Sequence, residues 1–368
     1  MAFASRGNPN ARVIFINTTT GTGTMKRHGN LWHKIIDKDN FELAYRNAVR
    51  GKSSKRNVIR FKENKEENLE AVRMMLVNKT FRTSRYCEKT VYEPKKRTIY
   101  VLPFAPDRIV QHALMNVIIP IWDKLFIETS YACRSGRGVH EGSRKTMEYV
   151  RRNKYCLKCD ISKFYPSIDQ DVLMSIVRKK IKCKDTLWLI EEIVRSFPGG
   201  KNVPIGNFTS QWFGNLYMNE LDHYVKTELK IKDYIRYCDD FCLFHDDKAV
   251  LRDAANKVKE FIEGRLLLRF SKCELFPVSH GVDFLGYRHF RKYILLRKST
   301  AKRVRKRLER LPELFDKGKI NAETYMSSVG STYGWMRWAN SHNLARKIKL
   351  DDMMQEAKRN VEAAKTAA

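Results

Sequence analysis

The stretch Tyr237-Cys238-Asp239-Asp240 constrains this chain more than any other. Tyr234-Ile235-Arg236 precede it and Phe241-Cys242-Leu243-Phe244 follow, so the flanks predict two short strands with the acid pair at their turn. Two adjacent carboxylates enclosed by Tyr, Cys, Phe and Leu repel each other and lose hydration unless a cation lies between them. A solvated Asp-Asp turn is the plain alternative. It fits poorly with the apolar flanks and with the charge of the whole chain: 71 Lys and Arg against 41 Asp and Glu over 368 residues, a net +30 at pH 7. That excess points to a polyanionic partner, nucleic acid before a membrane surface. No apolar run approaches the length of a membrane span, and the N-terminus lacks the pattern of a secretory signal.

A third carboxylate enters at Tyr155-Cys156-Leu157-Lys158-Cys159-Asp160-Ile161, a predicted strand that ends at Asp160. Phe164 and Tyr165 lie in the turn after it, and Asp169 opens the next helix. A strand-end acid followed by an aromatic pair offers a metal ligand beside a shaped pocket. The eight cysteines are scattered; Cys156 and Cys159 have zinc-like spacing, but no second pair follows, so both read as buried structural thiols in a reducing compartment.

The rest of the chain supplies cations. Residues 1–24 are polar and read as a flexible tail, with Met25 as an alternative start. Helical periodicity then runs from Leu31 to Leu76, interrupted by a basic loop at 50–56 that suits phosphate as well as solvent. Residues 91–101 predict a strand, a turn carrying Lys96 and Arg97, and a second strand. Asp107 reads as a helix start. A Gly-rich loop at 131–140 carries Arg134 and Arg137 but lacks the ending of a Walker A loop. Residues 203–213 form a Gly-containing turn, with Ile205, Gly206 and Phe208, that leads into a helix through Gln211. After a predicted helix at 249–268 and a strand at 269–275, Phe284 and Gly286 lie in a further hairpin. A dense basic run follows, in which Ser299-Thr300 start a helix. Val304, Leu308 and Leu311 mark its buried face, and Lys302, Arg305 and Lys306 its phosphate-tracking face.

Taken together, these segments resemble a reverse transcriptase over residues 41–342. Asp160-x-x-x-Phe164-Tyr165 looks like the first catalytic palm motif, Tyr237-Cys238-Asp239-Asp240 like the Tyr-x-Asp-Asp hairpin, and Phe284-Leu285-Gly286-Tyr287 like the primer grip of bacterial enzymes. Ile205 stands where Gln is usual, and Gln211 where Pro is usual. That pattern is similar to reverse transcriptases of diversity-generating retroelements, as are Ile109-Val110-Gln111-His112, Thr129-Ser130-Tyr131-Ala132-Cys133-Arg134 and Trp338-Ala339-Asn340-Ser341-His342.

The resemblance implies an α+β right-hand polymerase: fingers at 25–154, a palm with an antiparallel sheet at 155–290, and a basic helical thumb at 291–368. It implies a cytoplasmic enzyme, in a bacterial or phage-infected cell, that copies a template-repeat RNA into cDNA with errors at adenines. The expected partners are template RNA, the cDNA primer strand, dNTPs and a small basic accessory protein, with no membrane. Two Mg²⁺ ions, or Mn²⁺ in their place, would be held by Asp160, Asp239, Asp240 and the Ile161 carbonyl. Lys96 and Arg97 would hold the triphosphate, with Tyr165 as the gate against a ribose 2′-OH and Ile205 and Gly206 beside the nucleotide. Lys272 is the candidate acid for the departing pyrophosphate. Arg134, Arg137, Gln211, Phe284, Gly286, Lys302, Arg305 and Lys306 would contact template and primer. A retron-like or defence-associated reverse transcriptase is the alternative, and a non-catalytic RNA-binding scaffold the minor one.

Overall fold

The computed structural model describes residues 26–92 and 96–366, so the expected tail and the tip of the first basic turn lie outside the described residues. Strands β1 (Cys87–Val91) and β2 (Arg97–Val101) form an antiparallel hairpin. The central sheet comprises β3 (Tyr155–Ile161), β4 (Asp233–Tyr237), β5 (Asp240–His245) and β6 (Phe270–Pro277), all antiparallel, in the order β4-β5-β3-β6. A third sheet joins β7 (Val282–Phe284), β8 (Tyr287–His289) and β9 (Ile294–Leu296).

Strand alternation explains why the central sheet is covered on both sides. Leu157, Cys159, Phe241 and Leu243 enter the main core with Phe213 and Leu216 of the helix Phe208–His223 and Leu251 and Val258 of the helix Lys248–Gly264. Their neighbours Cys156, Cys242 and Phe244 face the other way. They pack against Tyr149 and Val150 of the helix Val139–Arg152, and against Val282 and Phe284 of β7. Lys158, Asp160 and Asp240 share that second face, at the end of the sheet where the apolar cover stops. A separate core joins Leu308 and Leu311 of the helix Lys298–Asp316 to Tyr325, Val329 and Met336 of Ala322–Arg337 and Ala357 of Leu350–Thr366.

Local signals hold at several places. Asp169 caps the helix Gln170–Lys180 by accepting from the amides of Asp171 and Val172 at 3.0 and 3.1 Å. Others give way to packing. Asp107 does not cap Ile109–Trp122, which starts without a side-chain cap; it is fully buried and accepts from the Ser84 amide at 2.9 Å. The basic helix begins at Lys298, not at the Ser-Thr pair, and Thr300 is buried within it. The helix expected to reach Leu268 ends at Gly264. Cys159 is not a free thiol: it lies opposite Cys273 across β3 and β6, Cα atoms 4.1 Å apart, and the two are joined as a disulfide. Cys156 remains free and buried.

Candidate active site

Three backbone facts bring the acids together. Asp160 is the last but one residue of β3, and in the register of β3 with β5 it faces Asp240 directly. Tyr237 pairs with Asp240 across β4 and β5, leaving Cys238 and Asp239 as a two-residue turn. Cys238 takes the left-handed conformation, φ +59°, that such a tight hairpin demands of a turn residue. Ile161, beyond a register shift after Asp160, is buried and pairs with Phe270.

The electrostatics of the cluster are those of acids that lack enough cation. Burial pushes the Asp239 carboxyl up, and the Asp160 charge adds to it, while Arg97 pulls it back. Burial pushes Asp240 up to about 7; Lys158, 3.4 Å from its Oδ2, opposes this, and Asp160 and Asp239 reinforce it. The other oxygen of Asp240, Oδ1, is buried without a hydrogen-bond partner. Asp160 accepts from the Ser271 hydroxyl at 2.5 Å. Such hard oxygens, crowded and one of them orphaned, fit a divalent cation by donor chemistry. Among the described residues, however, no three acidic, His or Cys side chains converge tightly enough to enclose one ion by themselves.

The raised Asp240 value has a stability consequence. Because it lies above that of an unfolded carboxylate, about 4, ionisation costs the folded state. The penalty is absent below about pH 4, grows as the pH rises and is complete above about 7. Asp240→Asn is therefore expected to raise the melting temperature of the metal-free protein by about 2–4 °C at pH 8, and not below pH 4. Melting curves in a chelator check this; equal midpoints at pH 8 would refute it.

On the side of Asp239, Tyr165 is braced. Its hydroxyl lies 3.3 Å from Cys238 Sγ, and burial raises its pKa far above the ordinary phenol value. Gly214 makes room for the aromatic pair, since a Cβ there would lie 3.0 Å from Phe164 Cε1 and 3.1 Å from Tyr165 Cε1. Lys96 and Arg97 are exposed at the start of β2. Farther along that strand, the Tyr100 amide donates to the Ile205 carbonyl at 2.7 Å, which ties the basic hairpin to the turn at Gly206. His112 stacks on Phe208 with ring centroids 4.1 Å apart, and the Phe208 amide donates to Gln111 Oε1 at 2.9 Å.

On the other side, a cavity of about 790 Å³ is lined by Asp160, Asp240, Lys158, Lys272, Arg288 and Arg297, among others. Lys272 faces Asp160 in register but pairs with Glu274 at 2.9 Å. Gly286 has φ +85° and, with Leu285 at +58°, makes the β7–β8 turn. Gln211, Lys302, Arg305 and Lys306 are exposed, and Arg305 also pairs with Glu309 at 2.7 Å.

Two expected nucleic-acid contacts are corrected. Arg134 is buried: its guanidinium donates to Asp123 Oδ1 (2.6 Å) and to the carbonyls of Ile127 (2.7 Å), Ser130 (3.1 Å) and Asp123 (3.2 Å), so it braces its own loop. Phe284 is fully buried, so its ring belongs to the core. Arg137, half-buried, donates to the Glu128 carbonyl and lies over the Tyr131 ring. Lys158, Ser271 and Gly214 escaped the sequence reading. Lys158 alone left a signal, standing two residues before Asp160 on the same strand face.

Strand-end acids on an antiparallel sheet, an aromatic pair at the turn and cations on the surrounding walls suit nucleotidyl transfer. Residues 88–289 match the family model described as "Reverse transcriptase (RNA-dependent DNA polymerase)". The chain belongs to that family. It is similar to Protein YkfC of Escherichia coli K12, 26% identical over 254 residues, 55% of this chain and 67% of that one. Retron Ec73 reverse transcriptase of Escherichia coli is 31% identical over 158 residues (39% and 48%). Group II intron-encoded protein LtrA of Lactococcus lactis subsp. cremoris is 23% identical over 146 residues (38% and 24%). The match thus spans two thirds of the first relative, about half of the second and a quarter of the third. Among the described residues no helix is long and apolar enough to cross a membrane.

Proposed function

We propose that the chain extends a DNA primer on an RNA template and works in a diversity-generating retroelement, writing adenine-directed errors into the cDNA. The convergence of Asp160, Asp239 and Asp240 at one sheet end carries the polymerase reading. In it, residues 25–154 are the fingers, 155–290 the palm and 291–368 the thumb. Asp160 and Asp239, with Asp240 and the Ile161 carbonyl, would hold Mg²⁺ or Mn²⁺, which supplies Lewis-acid stabilisation of the charge that develops on the transferred phosphoryl group. Arg97 and Lys96 face the triphosphate, and the Tyr165 ring, given room by Gly214 and tied through its hydroxyl to Cys238 Sγ, stands where a 2′-OH would clash. Gly286, Gln211 and the exposed cations of Lys298–Asp316 follow the template–primer duplex. Lys272, on the Asp160 side, would give the leaving pyrophosphate its proton after release from Glu274.

The retroelement assignment rests on Ile205 and Gln211. An Ile side chain cannot hydrogen-bond the incoming nucleotide, so poor geometry is penalised less. Ile205→Gln is expected to lower adenine misincorporation by about tenfold, with other error classes changing less. Sequencing of cDNA made on a defined RNA, with purified enzyme and dNTPs, reads this directly. Equal error spectra would sink the assignment, and failure of the wild-type enzyme to extend would sink the polymerase reading. The 31% identity to the retron Ec73 enzyme favours a retron-like reverse transcriptase as the second reading. A wild-type spectrum without adenine bias would support it.

A further inference from the structure

Beneath the catalytic turn lies a fully buried ion pair that stability alone does not explain. Arg236 and Asp222 both have no exposed side-chain surface and meet at 2.6 Å. Such pairs recover little more than the hydration they lose, so their presence points to a geometric task. Arg236 lies in β4, two residues before Cys238, and its side chain is turned to the helix-covered face of the sheet.

All five N–H groups of its guanidinium are used. Nε donates to Asp222 Oδ1 at 2.7 Å and Nη2 to Asp222 Oδ2 at 2.6 Å. Nη2 also donates to Ser130 Oγ at 3.0 Å, and Nη1 to Asn215 Oδ1 at 3.1 Å. The last donor, again on Nη1, meets the carbonyl of Cys238 at 2.9 Å. The backbone of Arg236 is tied as well: its amide donates to Thr129 O at 2.9 Å, and its carbonyl accepts from the Tyr131 amide at 3.0 Å. One planar group thus links the helix Phe208–His223, the loop at 129–131 and the turn itself.

We propose that Arg236 is a positioning residue for nucleotidyl transfer, holding the Cys238 carbonyl so that the left-handed turn presents Asp239 at a set height and angle. The role rests on the assignment of Asp239 to catalysis. Cys238 is not glycine, and its φ of +59° is a conformation that an L residue leaves readily when unsupported. Asp239, next in the chain, has no bond to Arg236 of its own, so its placement depends on that carbonyl. Lysine would keep the charge opposite Asp222 but, with a single nitrogen, would not serve Asp222, Asn215, Ser130 and Cys238 together.

The test compares Arg236→Lys with Tyr234→Phe. Tyr234 donates to Asp222 Oδ1 at 2.7 Å in the same buried network but makes no bond to the turn. A merely structural role predicts similar effects from both. Positioning predicts a specific one: in Arg236→Lys, alkylation of Cys238, followed by peptide mass spectrometry, accelerates about tenfold as the turn opens. In the same variant, kcat for single-nucleotide addition falls about 100-fold, with KM for dNTP and primer–template affinity unchanged. Tyr234→Phe leaves both the alkylation rate and kcat within about twofold of wild type, whatever it costs in melting temperature. Wild-type protection of Cys238 in folded Arg236→Lys, or equal acceleration in Tyr234→Phe, would overturn the proposal. If Arg236→Lys does not fold, Asn215→Ala, which removes the other acceptor of Nη1 and so loosens the guanidinium that holds the Cys238 carbonyl, is judged by the same criterion. The alkylation readout needs no turnover, so it stands even if Asp239 proves not to be catalytic.

Discussion

Asp239→Asn is expected to reduce primer extension on an RNA template by about 100- to 1000-fold while leaving the fold and primer–template binding intact. The substitution is isosteric and removes only the charge. Asp239 is half-buried at the turn, its carboxyl is already raised by burial and by Asp160, and among the described residues it makes no ion pair. Loss of its charge therefore relieves repulsion in the free protein, and the melting temperature holds or rises. A fall in extension with an unchanged melt assigns the loss to the reaction. The measurement is single-nucleotide addition with Mg²⁺ and dNTPs, next to a binding titration. Extension within tenfold of wild type would remove Asp239 from the catalytic set and revive a scaffold that binds RNA without copying it.

Gly206→Ala should be the most damaging substitution away from the acids. Gly206 has φ +130°, and a Cβ there would sit 2.1 Å from the Tyr100 carbonyl oxygen. That oxygen is backbone, so the methyl group has to displace β2, breaking the bond from the Tyr100 amide to the Ile205 carbonyl. Arg97 opens the same strand. The expected result is a rise of about tenfold or more in KM for dNTP, with about 1–3 kcal/mol lost from stability. Gly199→Ala is the control. It has φ +95° but open space around the new Cβ, so it carries the backbone strain without the clash. If both variants show the same KM, the link between the Gly206 turn and the Arg97 strand is irrelevant to nucleotide binding.

The strands and turn of the acidic hairpin were legible because alternation and a short polar turn are local signals: β4 and β5 fall within a residue of the predicted strands. Asp160 at a strand end and Asp169 at a helix start were legible for the same reason. The basic helix and its inward stripe, Leu308 and Leu311 buried and Val304 partly so, followed from period alone, though its first residue did not.

Partner choice was not legible. Arg97, Arg134, Arg137 and Arg236 look alike along the chain, yet one is exposed beside the acids, one is half-buried over the Tyr131 ring, and two are bound into loop and core. A long cationic side chain takes its partner from whatever the fold brings within reach: Asp222 for Arg236, Asp123 for Arg134, the Asp283 carbonyl and Asp240 for Lys158. The Cys159–Cys273 pairing is likewise a matter of sheet register over a separation of 114 residues.

By itself, the sequence determined that an acidic hairpin would form in a basic chain and that a third acid would end another strand, because each depends on a few consecutive residues. Only the tertiary structure decided that Asp160 faces Asp240, that Lys158 is the cation between Asp240 and the β7 hairpin, and that Arg236 holds the turn from below. Those relations belong to strand order and helix packing, in which residues far apart in the chain share one small volume from which water is largely excluded.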